Sequence, residues 1–232
     1  MTTTGRNGSA VHETVQRIAH TVASALHNGG GNPFDLSASL ITHADDPVAL
    51  AAARVLGADV LAPWAFLGMP VSQGDLALAG GAARAFPPDT SSVPSTWTHW
   101  GLTAALHRAG PGGAPAAVAA AEPEVAWAVD GSWQQITHRF AQLASLAGPT
   151  ATALLPAAAA RADDLSRGFV RAMRRQDWVQ AAAVGRWLAA AGCAPASLGL
   201  AAGLALVAQV GAGDARAALH VRAAQALARG ER

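Results

Sequence analysis

The chain has no lysine and no tyrosine, a single cysteine (Cys193) and only four glutamates (Glu13, Glu122, Glu124 and Glu231) among its 232 residues. Each shortage removes a class of chemistry. Without lysine there is no phosphate-loop lysine, no Schiff base to pyridoxal phosphate and no kinase-type lysine. One thiol cannot close an internal disulfide, build a four-thiolate zinc site or hold an iron–sulfur cluster alone. Four glutamates at these positions cannot supply the paired Glu and Glu-x-x-His set of a ferritin-like di-iron bundle. The sequence also contains no Gly-x-Ser-x-Gly, His-Glu-x-x-His or glycine-rich dinucleotide turn. Neither a cofactor nor a metal is expected.

Charge is scarce as well. Charged residues make up 13% of the chain, about half of ordinary usage. Surface scaling gives a chain of this mass roughly 9,700 Å² of exposed area, or about one charge per 300 Å² against about one per 170 Å² at ordinary usage. Either the exterior is coated with alanine, glycine, serine and threonine, or a partner covers part of it. A net charge of +1 gives no bulk attraction to nucleic acid or to an acidic membrane, and neither is expected as a partner.

What is present is apolar and alanine-rich, with 51% hydrophobic residues, enough for a substantial core. Residues 1–9 lack the apolar stretch of a secretory signal and read as a disordered tail. The uncharged run Gly192–Gly213 comes nearest to a membrane span. It is interrupted by Pro195 and its helical part is too short, so it reads as a buried central helix. A cytoplasmic location is expected, and the lone thiol fits a reducing compartment.

Val11, Val15, Ile18, Val22 and Leu26 are spaced as one helical stripe that ends before Gly29-Gly30-Gly31-Asn32-Pro33. Asp46-Pro47 pairs an N-cap with a first-turn proline and opens a helix that stops at Gly57. Two apolar segments of unassigned type, 60–67 and 73–86, follow. Phe86-Pro-Pro-Asp-Thr-Ser-Ser-Val-Pro-Ser95 is the most loop-like stretch, since proline fixes φ and removes donors, and a sub-domain junction is available at 87–95. Ser95 is read as the cap of a helix reaching about Ala109, and Val125–Val129 alternates in a way that fits a short strand. Ser132 and Gln135 form a capping box ahead of the stripe Trp133, Ile136, Phe140 and Leu143. Helices are expected over about 156–176, 177–191, 195–210 and 214–229. The predicted fold is all-α: a compact bundle of about eight helices in a single domain over 10–232, with antiparallel helical hairpins in the C-terminal half.

Asp177-Trp-Val-Gln-Ala-Ala-Ala-Val184 and Asp214-Ala-Arg-Ala-Ala-Leu-His-Val221 open their helices alike, with caps 37 residues apart. This is similar to tetratricopeptide-type hairpins over about 65 residues, but the Tyr and Pro positions of that family are missing, so the chain is not read as a member. The similarity implies closely packed antiparallel helices, which small alanine and glycine side chains allow.

Several groups could carry chemistry. The densest is Trp97-Thr-His99-Trp100-Gly-Leu-Thr-Ala-Ala-Leu-His107-Arg108. A helix apolar nearly all round is buried, and a buried neutral histidine beside an indole suits a general base next to a stacked ligand. His99 and His107 are the candidate catalytic residues; Trp97, Trp100, Arg108 and Trp133 are candidate ligand contacts for a small apolar or aromatic molecule. The plainer reading is a core helix whose histidines bond locally. Arg167, Arg171, Arg174 and Arg175 follow Asp163-Asp164 on one helix. They form either a solvated face with an Asp163–Arg167 pair or a binding surface for a phosphate or carboxylate. His20 and His27 share the polar face of the first helix, Thr42-His43-Ala-Asp45-Asp46 places an imidazole near two carboxylates, His138 reads as exposed, and Cys193 reads as inert in apolar surroundings. The function these features suggest is a non-enzymatic helical interaction protein that self-associates or docks a protein partner. The alternative is a small enzyme or small-molecule binder with a pocket around His99, Trp100 and His107.

Overall fold

A computed structural model of the chain describes residues 3–29, 34–36, 38, 45–110 and 121–230. Its regular structure is helical throughout, with no strand among the described residues. By internal contacts the chain divides into two compact units, Met1–Ala121 and Glu122–Arg232. The proline-rich stretch 87–95, read as an available junction, lies inside the first.

The first unit contains α1 (Thr3–Asn28), α2 (Pro47–Leu56), a 3-10 turn (Gly57–Leu61), α3 (Ala62–Leu67), α4 (Gln73–Ala85) and α5 (Val93–Ala109). α1 begins at Thr3, within the stretch read as a tail. Val15, Ile18, Val22 and Leu26 of its stripe are all buried. Asp46 caps α2, its carboxylate accepting from the Val48 N–H at 2.9 Å, with Pro47 at the first helical position. α4 incorporates Gly80-Gly81 and buries Leu78, Ala79, Ala82 and Ala83. Ser72 caps it, and the buried Asp75 carboxylate accepts from the Leu36 N–H at 3.3 Å. The combined run Pro47–Leu67 has the length and apolar content to cross a membrane and is half buried; it, rather than Gly192–Gly213, is the longest such segment among the described residues. A 3-10 turn and the fully buried Asp59 interrupt it.

The second unit contains α6 (Trp127–Asp130), α7 (Trp133–Gln142), a 3-10 turn (Ala144–Leu146), α8 (Leu154–Ala160), α9 (Ala162–Arg174), α10 (Trp178–Ala190), a 3-10 turn (Ala196–Leu198), α11 (Leu200–Val210) and α12 (Ala215–Gly230). α10 is its centre, burying every residue from Ala181 to Leu188, and it packs against α9 and α12. An aromatic stack runs through the core. Trp127 lies 5.2 Å from Phe140, and Phe140 meets Trp187 edge-on at 5.1 Å. The Trp187 indole N–H donates to the Phe140 carbonyl at 2.6 Å.

Several expectations are corrected. The helix count exceeds eight because the two unassigned segments and Trp127–Asp130 are helical and one expected helix breaks in two. The segment 156–176 divides at Arg161, whose guanidinium donates to the carbonyls of Ala128, Val129 and Gly131 at 3.0, 2.7 and 3.1 Å and to Asp164 at 2.7 Å. The segment 195–210 divides at Gly199, which adopts φ 59°. Val125–Val129 is not a strand; Trp127–Asp130 coils into one helical turn. Ser92, not Ser95, caps α5. Ser95 instead receives Arg54 and the Asp89 N–H, at 3.3 and 2.9 Å on its hydroxyl.

Candidate functional site

The site forms where the polar face of α9 meets the start of α7. The helix is two-sided: Leu165, Gly168, Phe169 and Ala172 face the core, while Arg167, Val170, Arg171 and Arg174 face outward. Gly168 brings α9 against α7, because a Cβ there would overlap the Thr137 side chain. The Thr137 hydroxyl donates within α7 to the Trp133 carbonyl at 2.7 Å and reaches across to the Asp164 carbonyl of α9 at 3.3 Å. Trp133, at the first position of α7 behind the Ser132–Gln135 capping box, is thereby placed beside Arg171. The guanidinium carbon of Arg171 sits 5.6 Å from the Trp133 ring centroid, within reach of the ring's negative face.

The result is an open groove of about 660 Å³ lined by Trp133, Val170, Leu198 and the four arginines Arg167, Arg171, Arg174 and Arg175, with Ser166 at its edge. Among the described residues its wall contains no carboxylate. Asp163 makes no pair with Arg167; Asp164 does, at 3.8 Å, but Asp164 is held primarily by Arg161 and the Arg167 side chain stays 67% exposed. Arg174 and Arg175 make no hydrogen bond or ion pair among the described residues. The whole unit leans the same way, with eleven arginines against eight acidic residues. Positive charge on planar forks, an indole and two aliphatic side chains can together hold a carboxylate- or phosphate-bearing group with apolar neighbours.

The arginines and Trp133 singled out from sequence are thus brought together. The Trp–His segment of α5 is not. Trp97 is fully buried and meets Trp100 edge-on at 5.5 Å. The His99 imidazole turns to the backbone of Phe86. Burial, and secondarily the Arg54 charge, push its pKa down, partly offset by that hydrogen bond. Its Nδ1 is buried without a partner. Arg54 completes the anchorage of this loop, donating to the Phe86 carbonyl at 3.2 Å and the Ser95 carbonyl at 3.0 Å. His107 is exposed and lines a cleft in which neither His99 nor Trp100 takes part; eight residues along a helix is about 12 Å of rise. Arg108 is half-buried, with an unpartnered Nε and a pKa lowered by burial.

Among the minor candidates, His20, His27 and His138 are exposed, and His43 lies outside the described residues. No cluster of three metal-ligating side chains occurs among the described residues. Cys193 is half-buried, and burial raises its pKa, which disfavours the reactive thiolate. Leu198 and Val170 were not foreseen as walls. The signal available was Gly199, whose turn ends the 3-10 segment and sets Leu198 across from α9.

What fold and site define is an all-α protein with a cationic, indole-walled groove. The chain matches no protein family, no curated protein and no solved structure, so function rests on the geometry.

Proposed function

We propose that this chain is a non-enzymatic helical binding protein and that its groove docks an acidic, partly apolar segment of a protein partner. The observation carrying this reading is a wall with four arginines and, among the described residues, no carboxylate. Guanidinium groups gathered with a single counter-charge, Asp164 at 3.8 Å from Arg167, repel one another, and an anionic partner relieves that cost while gaining charge-assisted hydrogen bonds. Val170, Leu198 and Trp133 ask for apolar atoms among the carboxylates, which an amphipathic peptide has and a bare phosphodiester backbone lacks. The overall charge of +1 also argues for local recognition rather than bulk attraction to nucleic acid.

The test is anisotropy of a labelled peptide carrying Glu at i, i+4 spacing with Leu and Phe between. Saturable binding that weakens with salt is expected, falling roughly tenfold or more in Arg171→Glu/Arg174→Glu. Unchanged affinity in that double variant, or tighter binding to duplex DNA than to the peptide, overturns the reading.

A second observation favours self-association. On α11 the exposed side chains include Leu206 (48%) and Val210 (53%) beside Ala201, Ala202 and Ala205, in a helix without a charge. Light scattering is expected to show a dimer that Leu206→Glu dissociates; a monomer at high concentration removes this reading and leaves the groove untouched.

A further inference from the structure

The first unit has a cleft of its own, between α4 and α5. Gln73, Leu76, Ala77, Gly80, Ala83 and Arg84 recur every three or four residues and form one face of α4, and Thr103, Leu106 and His107 form the facing strip of α5. The space between them is about 600 Å³, within the size range of small-molecule sites.

Gly80 leaves room for the Arg84 side chain. A Cβ there would stand 3.2 Å from Arg84 Nη1, so the guanidinium folds back over a position that has no side chain. Arg84 makes no hydrogen bond, ion pair or ring contact among the described residues, and neither do the side chains of Gln73 and His107. Thr103 differs: its hydroxyl proton is shared between the His99 and Trp100 carbonyls at 3.0 and 2.8 Å, which leaves its oxygen able only to accept. No carboxylate among the described residues lines the cleft. Among the described residues, one free cation, two further uncommitted donors and aliphatic walls thus share one opening.

We propose that this cleft binds a small organic monocarboxylate, independently of the groove in the second unit. A single guanidinium matches a single carboxylate, whose two oxygens accept the two parallel N–H groups of the fork. A doubly charged phosphate would find one cation where it needs more. The hydrocarbon body lies on Leu76, Ala77, Ala83 and Leu106. The Gln73 amide and the His107 imidazole are placed for a second polar substituent or for the rim of the carboxylate.

Octanoate is the probe, titrated into the full chain and followed by calorimetry and by amide NMR shifts. Saturable one-site binding at millimolar concentration is expected, with shifts confined to α4 and α5. Octan-1-ol, equal in hydrocarbon but uncharged, is expected to bind roughly tenfold more weakly or worse. Arg84→Gln, an exposed change that leaves the core alone, is expected to weaken octanoate to the level of the alcohol. Gly80→Ala serves as an uncharged second variant, displacing the Arg84 guanidinium and so weakening octanoate while leaving the alcohol unchanged, with the helical circular dichroism signal as the check on folding. Equal affinity for acid and alcohol, wild-type affinity in Arg84→Gln, shifts centred on other helices, or no saturable binding would each overturn the proposal.

Discussion

Arg171 rests its guanidinium on the indole of Trp133, Cζ to ring centroid 5.6 Å, joining α9 to the first turn of α7 at the mouth of the groove. Such a contact at a partly exposed site contributes about 0.5–1 kcal/mol. A double-mutant cycle with Trp133→Leu and Arg171→Gln is expected to return a coupling of about that size in urea unfolding. The same cycle read in peptide affinity should show that either change alone weakens docking. Additive stabilities would mean that the ring and the cation merely lie near each other.

His99 gives the first unit a pH dependence whose sign follows from its surroundings. The imidazole is desolvated, faces the Arg54 cation and bonds the Phe86 backbone, and its pKa lies below the ordinary 6.5. The unfolded chain therefore takes up a proton before the folded one does. Stability from this group is intact above about pH 6.5 and is lost as pH falls through that value and on through the lower folded pKa. Thermal melts between pH 7 and 5 should show a smaller decline for His99→Gln than for the wild type. Equal declines would place the acid sensitivity elsewhere.

α9 ends on an unusual residue. Gln176 has φ 58°, the only positive value outside glycine among the described residues. Its N–H donates to the Met173 carbonyl at 3.1 Å and the Asp177 N–H to that of Ala172 at 3.0 Å, the paired bonds of a Schellman turn. α10 closes with the same pattern, but there Gly192 takes the left-handed position. Gln176→Gly should relieve the strain of a side chain in that region and stabilise the protein by about 0.5–1 kcal/mol. The urea midpoint should rise at constant slope.

Inside the second unit, Arg186 is 0% exposed. Its Nε donates to the Ala147 carbonyl at 2.7 Å and its Nη1 to His220 Nδ1 at 3.2 Å. Arg186→Ala would leave those acceptors dry and open a cavity, a loss of about 3–5 kcal/mol. Urea unfolding measures it; a cost near that of a surface substitution would show that water replaces the side chain.

Local chemistry was legible in the sequence. Asp46-Pro47, the Ser132–Gln135 box and the Asp177 cap all behave as their neighbours dictate, because a cap needs only the next three residues. The arginine face of α9 was legible too, since i, i+4 and i+7 spacing alone puts side chains on one side. What escaped depended on distant partners. No glycine or proline marks the break at Arg161; it is made by three carbonyls some thirty residues upstream. Ser92 and Ser95 are equally good caps by composition, and Arg54 decides between them from forty-one positions away. His99 and His107 share a helix, but one is drawn to the Phe86 loop while the other opens on the Arg84 cleft. The alanine content blurs the rest, for alanine sits as readily inside as outside and flattens the periodicity that separates faces.

Gly168 lies beneath the groove, with its back to anything bound above. Yet it sets how far apart the two jaws stand, because a single added methyl would wedge α7 away from α9 and carry the indole off its cation. If the groove docks a partner as proposed, its selectivity is written partly at a position that partner never touches, and altered preference would arise there with all four arginines in place.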